Sequence, residues 1–446
     1  MRHRKTVASV AAAAALACAG VAGAEVNASP AGEGTVLRPA YLQDAPATEP
    51  ASQPAPAAKP LTAALDAVGI GKPLEEANIT IGGYVDGGYT ISGNGQRSNV
   101  PLAGRVFDTK SSRWVLDQVD LFVDRPVDYA KAAQTHSFDV GGHVEIDYGW
   151  DLGLLHSSGL FDNPATLGVT HGQYASRVTP ENQFDLLQAY LDVALPVGSG
   201  LRVRAGKFVT PLGYEVINPT QNAFYSHSYL FGFAIPFTQT GVIGEYKIND
   251  DWILDAGVTR GWNQTFKDNN GGPDFLGSLT YTPQGSDELK KWKLIANLSE
   301  GPQRTHDNSN WWTVVDLQAI YTVNTDLTLA ANADYGDAPG RANVGGTDQW
   351  YGIAGYAALA LNEYLTPNLR LEYYGDSRGM TLGATRAQNL FEATLNLAIK
   401  PFAGDAIGQN LMIRPEIRYD DSTARFFKGN KRRDQFTAGV DAYFTF

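Results

Sequence analysis

From Ile79 onward, apolar and polar residues alternate with a period of two through stretch after stretch of the chain. A strand points successive side chains to opposite faces, so each such stretch reads as a strand with one apolar and one polar face. Phe138, Val140, Gly142, Val144, Ile146, Tyr148 and Trp150 alternate with Asp139, Gly141, His143, Glu145, Asp147, Gly149 and Asp151. Leu411, Ile413, Pro415, Ile417 and Tyr419 alternate with Met412, Arg414, Glu416, Arg418 and Asp420. Weaker alternation marks Trp252 to Val258, Trp292 to Leu298 and Leu395 to Ile399. Pro415 lacks an amide donor, which predicts a local irregularity in its strand. One such strand would also suit a soluble sheet with a dry and a wet side. The repetition is what discriminates.

About sixteen candidate strands follow from this pattern, beginning near Ile79, Trp114, His136, Gln183, Leu201, Thr238, Trp252, Asp274, Leu289, Trp311, Leu327, Gln349, Asn368, Gln388, Asn410 and Asp434. Their connections alternate in length. Ser92–Ser112, Leu152–Glu181, Thr210–Phe237, Asn263–Pro273, Gly301–Asn310, Gly336–Asp348, Gly375–Arg386 and Asp421–Arg433 are mostly long, and those between them are mostly short. Long outer loops and short periplasmic turns are the asymmetry of an outer-membrane barrel. Trp150, Trp252, Trp292, Trp312 and Trp350 fall near strand ends, where interfacial girdles belong, although tryptophans could equally cap a soluble core. The fold class expected is all-β, a transmembrane antiparallel up-and-down β-barrel whose third outer loop folds inward.

The N-terminus reads as an export signal at residues 1–24, with Arg2, Arg4 and Lys5, an apolar run from Val7 to Ala19, and a small-residue cleavage site at Ala22-Gly23-Ala24. The run is too short for a spanning helix, which needs about 20 apolar residues. Cys18, the one cysteine, lies inside this leader, so a mature chain starting near Glu25 has no disulfide, thiol chemistry or cysteine metal site. Ala15 stands three positions before Cys18, where lipoprotein signals favour a large aliphatic residue, so Cys18 reads as an ordinary signal residue. Residues 25–77 read as a Pro/Ala-rich periplasmic linker, with Leu61 to Leu74 either a short helix or more linker; residues 78–446 read as the barrel. The formal net charge of −12 contains no basic tract suited to nucleic acid.

The last strand places Phe436, Ala438, Val440, Ala442, Phe444 and Phe446 on one face. A terminal aromatic residue with this register resembles the signal read by the barrel-assembly machinery, so Phe446 is the expected assembly signal. Leu116–Val127 (LDQVDLFVDRPV), Gly142–Asp151 (GHVEIDYGWD), Phe184–Val197 (FDLLQAYLDVALPV), Gly206–Asn218 (GKFVTPLGYEVIN), Phe224–Leu230 (FYSHSYL), Arg414–Tyr419 (RPEIRY) and Asp434–Phe446 (DQFTAGVDAYFTF) together resemble the β-barrel porin-2, OmpL-like family. The resemblance implies an outer-membrane barrel with channel activity. It supplies neither a substrate nor catalytic residues.

A barrel of about sixteen strands is wide enough for water, whereas eight are nearly filled by side chains. The expected function is therefore an outer-membrane porin for passive diffusion of ions and small hydrophilic solutes, in contact with membrane lipid and possible as a homotrimer, without cofactor. Selectivity would arise at the narrowest point. Thr210–Phe237 is the constriction candidate, because its many apolar residues need cover that an inward fold supplies. Arg202 and Arg204 share one strand face and should point into the lumen, while Lys207 breaks that register, by snorkelling or by a local bulge. With Tyr214, Glu215, Tyr225 and His227 they form the candidate constriction, although the arginines could instead be wall partners of Asp192 or Glu245. Further candidate lumen charges are Asp139, Glu145, Asp147, Asp192, Glu245, Arg370, Glu372, Arg414, Glu416 and Arg418, a mixture that assigns no ion preference.

Other classes find thin support. His143, His156, His171, His227 and His306 are scattered, and Ser226-His227-Ser228 lacks a third group to orient a base, so no catalytic residue is assigned. Asp268–Gly272 lacks the spaced carboxylates of a calcium loop, so no metal ligand is assigned. A non-conducting barrel for adhesion or envelope anchoring is the remaining alternative.

Overall fold

The computed structural model describes residues 60–95, 101–160, 182–340 and 345–446. The leader with Cys18, most of the proline-rich segment and His171 lie outside the described residues. Two short helices, α1 (Pro60–Ala67) and α2 (Gly71–Glu76), precede the first strand. Where the alternatives over Leu61 to Leu74 were one short helix or more linker, the chain forms two helices separated by residues 68–70.

Sixteen strands follow: β1 (Thr80–Ser92), β2 (Arg113–Arg125), β3 (Asp139–Gly149), β4 (Gln183–Leu195), β5 (Leu201–Val209), β6 (Thr238–Lys247), β7 (Trp252–Thr259) and β8 (Asp274–Tyr281). The second half is β9 (Trp292–Arg304), β10 (Asp307–Thr322), β11 (Leu327–Pro339), β12 (Thr347–Leu359), β13 (Leu365–Asp376), β14 (Gln388–Ile399), β15 (Leu411–Ser422) and β16 (Asp434–Thr445). Each pairs antiparallel with its sequence neighbours, and β1 pairs with β16 to close the barrel. The closure extends to the last residue: Phe446 donates its N–H to the Gly83 carbonyl at 2.9 Å and accepts from the Gly83 N–H at 3.1 Å. Closure leaves no sheet edge, which a membrane requires because lipid satisfies no backbone group.

The two strand faces carry the expected difference. Val140, Val144, Leu191, Val242, Leu254, Ile353, Leu395 and Ile417 are exposed on the outer face. Between them, Glu145, Asp147, Asp192, Glu372, Arg414 and Arg418 are buried inside. Pro415 has the foreseen effect: β15 pairs with β14 at Ile413 and again from Glu416, but not at Pro415.

Two expectations need correction. Gly301–Asn310 is not a long loop, because the β9–β10 ladder runs on through Gly301 opposite Trp312 and Pro302 opposite Trp311, and the chain reverses at Thr305-His306. The tryptophan girdle also splits. Trp252 and Trp292 stack on Tyr281 and Tyr321 with ring centroids 4.4 and 4.5 Å apart, in phase with the outward Leu254 and Leu294. Trp312 and Trp350 have the opposite phase, sharing faces with the buried Val314 and Ala354, and pack together inside the barrel. Trp150 also turns toward the loops, donating its ring N–H to Thr109.

Candidate pore constriction

The chain between β5 and β6, Thr210 to Phe237, folds into the barrel. Leu212, Ile217, Phe224, Tyr229, Leu230, Phe231, Phe233, Ile235 and Phe237 are all buried, which takes their surface from water at a gain of about 25 cal/mol per Å². Asn218 starts a short turn at Pro219–Gln221 by accepting from the Thr220 N–H at 2.9 Å, and Leu230–Ala234 forms a single wide helical turn. Other loops join the same cluster through Phe107, Leu152, Trp262, Leu382 and Phe427. The outward half of the lumen is thus a packed layer.

A loop inside a barrel must still satisfy its backbone polar groups. Charged side chains on β13 and β15 do this, from about half-way round the ring from β5 and β6. Arg370 donates to Glu215 at 2.8 Å, to the Ser226 carbonyl at 2.7 Å and to Glu392 at 2.6 Å. Arg414 donates to the carbonyls of Pro219 and Asn222 at 2.9 and 2.6 Å and is paired with Asp441. Arg418 donates to the His227 carbonyl at 2.6 Å. Glu372 accepts from the N–H groups of Tyr229 and Leu230, both at 2.7 Å, and Glu416 accepts from that of Tyr225 at 3.1 Å. Bonds with one ionised partner are roughly twice as strong as neutral ones. The loop therefore crosses the lumen and is fastened on the far side.

The sequence candidates divide into two groups. Tyr214, Glu215, Tyr225 and His227 lie in the crossing loop, with Arg370, Glu372, Arg414, Glu416 and Arg418 as its anchors. Tyr214 packs on Tyr356 at 4.5 Å, and Tyr225 lies against Gly88 and Gly439. Arg202 and Arg204 stay on the β4–β6 wall: Arg204 makes two bonds to Asp192, at 2.9 and 2.8 Å, and Arg202 is paired with Glu245. An eyelet joining these arginines to Glu215 is not what forms, because Glu215 is already held by Arg370. Lys207 follows a local irregularity instead of snorkelling. Gly206 adopts a φ of 144°, and Lys207 turns in to Asp185 at 3.3 Å. Asp147 and Glu145 face inward on β3, while Asp139 sits nearer its end beside Arg125 at 2.9 Å.

Several functional partners were not singled out from sequence. Asp420, Glu392 and Asp441 had the inward phase that could have revealed them. Arg105 had no such signal; it lies in the first loop and reaches Asp420 at 3.0 Å and Thr437 at 2.6 Å.

Burial works to raise the Glu215 carboxyl, but Arg370, helped by the Ser228 N–H that donates to it at 2.7 Å, outweighs burial and holds it below the usual range. Burial pushes the His227 imidazole down to about 4, against the opposing pull of Glu215. Its Nε2 lies 3.1 Å from the Val216 carbonyl, and its ring packs between Phe107 and Phe231. A neutral ring that donates from Nε2 fits this apolar site.

The family described as "Putative beta-barrel porin-2, OmpL-like" matches residues 78–446, the whole barrel. The chain belongs to this family. It is an outer-membrane porin, and solved structures agree on the fold. The outer-membrane channel DcaP of Acinetobacter baumannii superposes with a TM-score of 0.52 at 13% identity, covering 82% of this chain and 97% of that one. OprB of Pseudomonas putida gives 0.52 at 14% identity, covering 85% and 97%. An anion-selective porin from Comamonas acidovorans gives 0.50 at 10% identity, covering 82% and 99%. No curated protein sequence matches the porin.

Proposed function

We propose that the porin passes ions and small hydrophilic solutes by passive diffusion, and that the Thr210–Phe237 crossing loop sets the width of the channel. The supporting observation is the loop's attachment to Arg370, Arg414 and Arg418 across the lumen. Arg202, Arg204 and Lys207, with Asp192 and Glu245, then form a charged wall along β4–β6, apart from the loop. His227 serves the loop's packing, and the protein acts as a channel without catalysis.

In the same reading, residues 1–24 direct export, residues 25–77 occupy the periplasm and the terminal strand with Phe446 guides assembly. Three copies associate; an in-vitro folded OmpT of Vibrio cholerae with the same barrel architecture is described in a trimer form. The test is reconstitution of the mature protein in planar bilayers and in sugar-loaded liposomes. Steady conductance and sugar-driven swelling are expected, and a variant with a short glycine linker in place of Gly213–Phe233 should conduct more per channel. Absence of conductance from folded barrel would overturn the reading, and unchanged conductance in the variant would remove the loop as the constriction.

A further inference from the structure

Two outer connections, residues 377–387 between β13 and β14 and residues 423–433 between β15 and β16, run against the charge of the chain. The formal net charge is −12, yet neither connection contains an Asp or Glu. The first carries Arg378 and Arg386, and the second carries Arg425, Lys428, Lys431, Arg432 and Arg433. Some of these cations are engaged. Arg378 lies 3.5 Å from Asp348, Lys428 donates to the Asn94 carbonyl at 2.6 Å, and Arg432 is paired with Asp434 at 2.8 Å. Among the described residues, the guanidinium groups of Arg386 and Arg425 have neither an ion pair nor a hydrogen bond.

These two arginines line one cavity of about 290 Å³ between the two connections, together with Gln388, Phe426 and Asn430. Gln388 is 3% exposed, and its Nε2 is buried with no hydrogen-bond partner. A buried donor left unpaired costs the free energy of its lost water. No carboxylate lines the cavity. The nearest in sequence, Asp376, is taken up by its own loop, accepting from the N–H groups of Gly379, Thr381 and Leu382 at 2.7, 2.9 and 3.1 Å. Arg386, Arg425 and the Gln388 amide therefore present donors that nothing in the fold satisfies, and the two like charges repel across the space they share.

Both rims are held in place. Asp376 folds residues 377–382 around its carboxylate, and Leu382 is buried beneath. On the other side Phe426 and Phe427 are buried, and both donate their N–H groups to the Arg432 carbonyl, at 2.9 and 3.1 Å. A site with fixed walls loses little conformational freedom when it is filled.

We propose that this cavity binds a dissolved phosphate-type oxyanion, free phosphate or a small phosphomonoester, at the outer mouth of the porin. Guanidinium forks match the oxygens of phosphate, whose charge offsets the repulsion between Arg386 and Arg425. The buried Gln388 amide supplies a further donor. The phosphate of a lipid headgroup has the same chemistry, but the position of Gln388 favours a solute. Gln388 shares the inner face of β14 with the buried Leu390 and Glu392, whereas the lipid side carries Phe391. The proposal goes beyond the diffusion reading and does not rest on it, because binding is measured without conductance.

Isothermal titration of the mature, full-length barrel in detergent with inorganic phosphate, in about 0.15 M KCl to screen diffuse attraction, tests the proposal. One saturable site per chain is expected, and absence of saturable binding would overturn it. Arg386→Gln and Arg425→Gln should each weaken phosphate about tenfold, the loss of one charge-assisted bond. Gln388→Leu removes the amide donor without changing charge and should also weaken it. Lys431→Gln with Arg433→Gln removes two charges of the same connection outside the cavity and should leave binding in place. Equal loss in that pair and in the arginine variants, or full binding in a folded Arg386→Gln, Arg425→Gln double variant, would overturn the site. Lipid A in mixed micelles is the second arm: its binding should not depend on Arg386 and Arg425. Lipid A binding lost in the double variant, with no phosphate binding to the parent, would overturn the assignment to a dissolved anion.

Discussion

At the scale of single residues, the crossing loop depends on charges that have no water. Arg370 is fully buried and contacts Glu215, Glu392 and the Ser226 carbonyl together. Breaking a buried pair by removing one partner typically costs about 3–5 kcal/mol, because the other charge stays behind. Arg370→Ala should therefore loosen the loop without opening the barrel: protease should cleave between Thr210 and Phe237 much faster, while unheated electrophoretic migration stays that of folded barrel. Equal cleavage rates would show that the clamp does not hold the loop. His227 adds a pH dependence whose sign is fixed. Its proton affinity is lower in the folded protein, at about 4, than the ordinary 6.5, so the unfolded site binds more protons between these values and the loop's seat weakens as pH falls through that window. Glu215 is also held low by Arg370 and loses stabilisation toward acid, in the same direction. Arg370 and Arg414 face the imidazole and further oppose its charging. Current noise should rise on acidification from about pH 6.5 to 4, the interval between the ordinary and the folded histidine values. His227→Phe keeps the ring between Phe107 and Phe231 and should remove most of that rise; a variant as noisy as the parent would exclude the histidine.

Among the elements, strands were far more legible in sequence than the contacts they support. Period two needs only the local chain, so Leu411 to Asp420 displayed both faces of β15, and the phase of Arg414 and Arg418 followed directly. Their partners did not, because Pro219, Asn222 and His227 belong to a loop that meets β15 only after the barrel closes. Nor was the division of the tryptophans legible: adjacent Trp311 and Trp312 look alike in composition, and one residue of phase sends one outward and the other inward. Gly206 joins the two kinds of information. It sits within β5 at a φ of 144°, and an added Cβ would lie 2.2 Å from the Ala189 carbonyl oxygen and 2.6 Å from the Tyr190 Cα. Backbone must move to admit it. Gly206→Ala should cost about 1–3 kcal/mol through strain, lower the urea midpoint for unfolding from vesicles, and detach Lys207 from Asp185. A midpoint equal to the parent's would mean that the conformation at Gly206 is readily relaxed.

For the whole molecule, the arrangement is an inverted globule in which lipid takes the place of a second apolar layer. The outward residues are apolar because they face hydrocarbon, and the charges gather inside because the lumen and its loops can pair them. This inversion was visible in the sequence as alternation repeated beyond what a small soluble sheet needs, but ring closure at Gly83 and Phe446 and the path of the crossing loop required the assembled barrel. Neighbouring residues on β6 allow the inversion to be measured. Val242 is exposed on the outer face beside Val258 of β7, and Ile243 lies on the inner face opposite Arg204 of β5. An arginine on the lipid face near the bilayer midplane costs about 2–4 kcal/mol, while the same side chain in a lumen remains able to reach water and carboxylates. At residue 243 the added charge meets repulsion from Arg204 but also attraction from the nearby Glu245 and Asp255, which pair with each other across β6 and β7. Reversible denaturant unfolding from lipid vesicles should therefore find Val242→Arg the more destabilised of the two single variants, with Ile243→Arg closer to the parent. The reverse order would contradict the assignment of faces on β6, since one residue of register exchanges lipid for lumen.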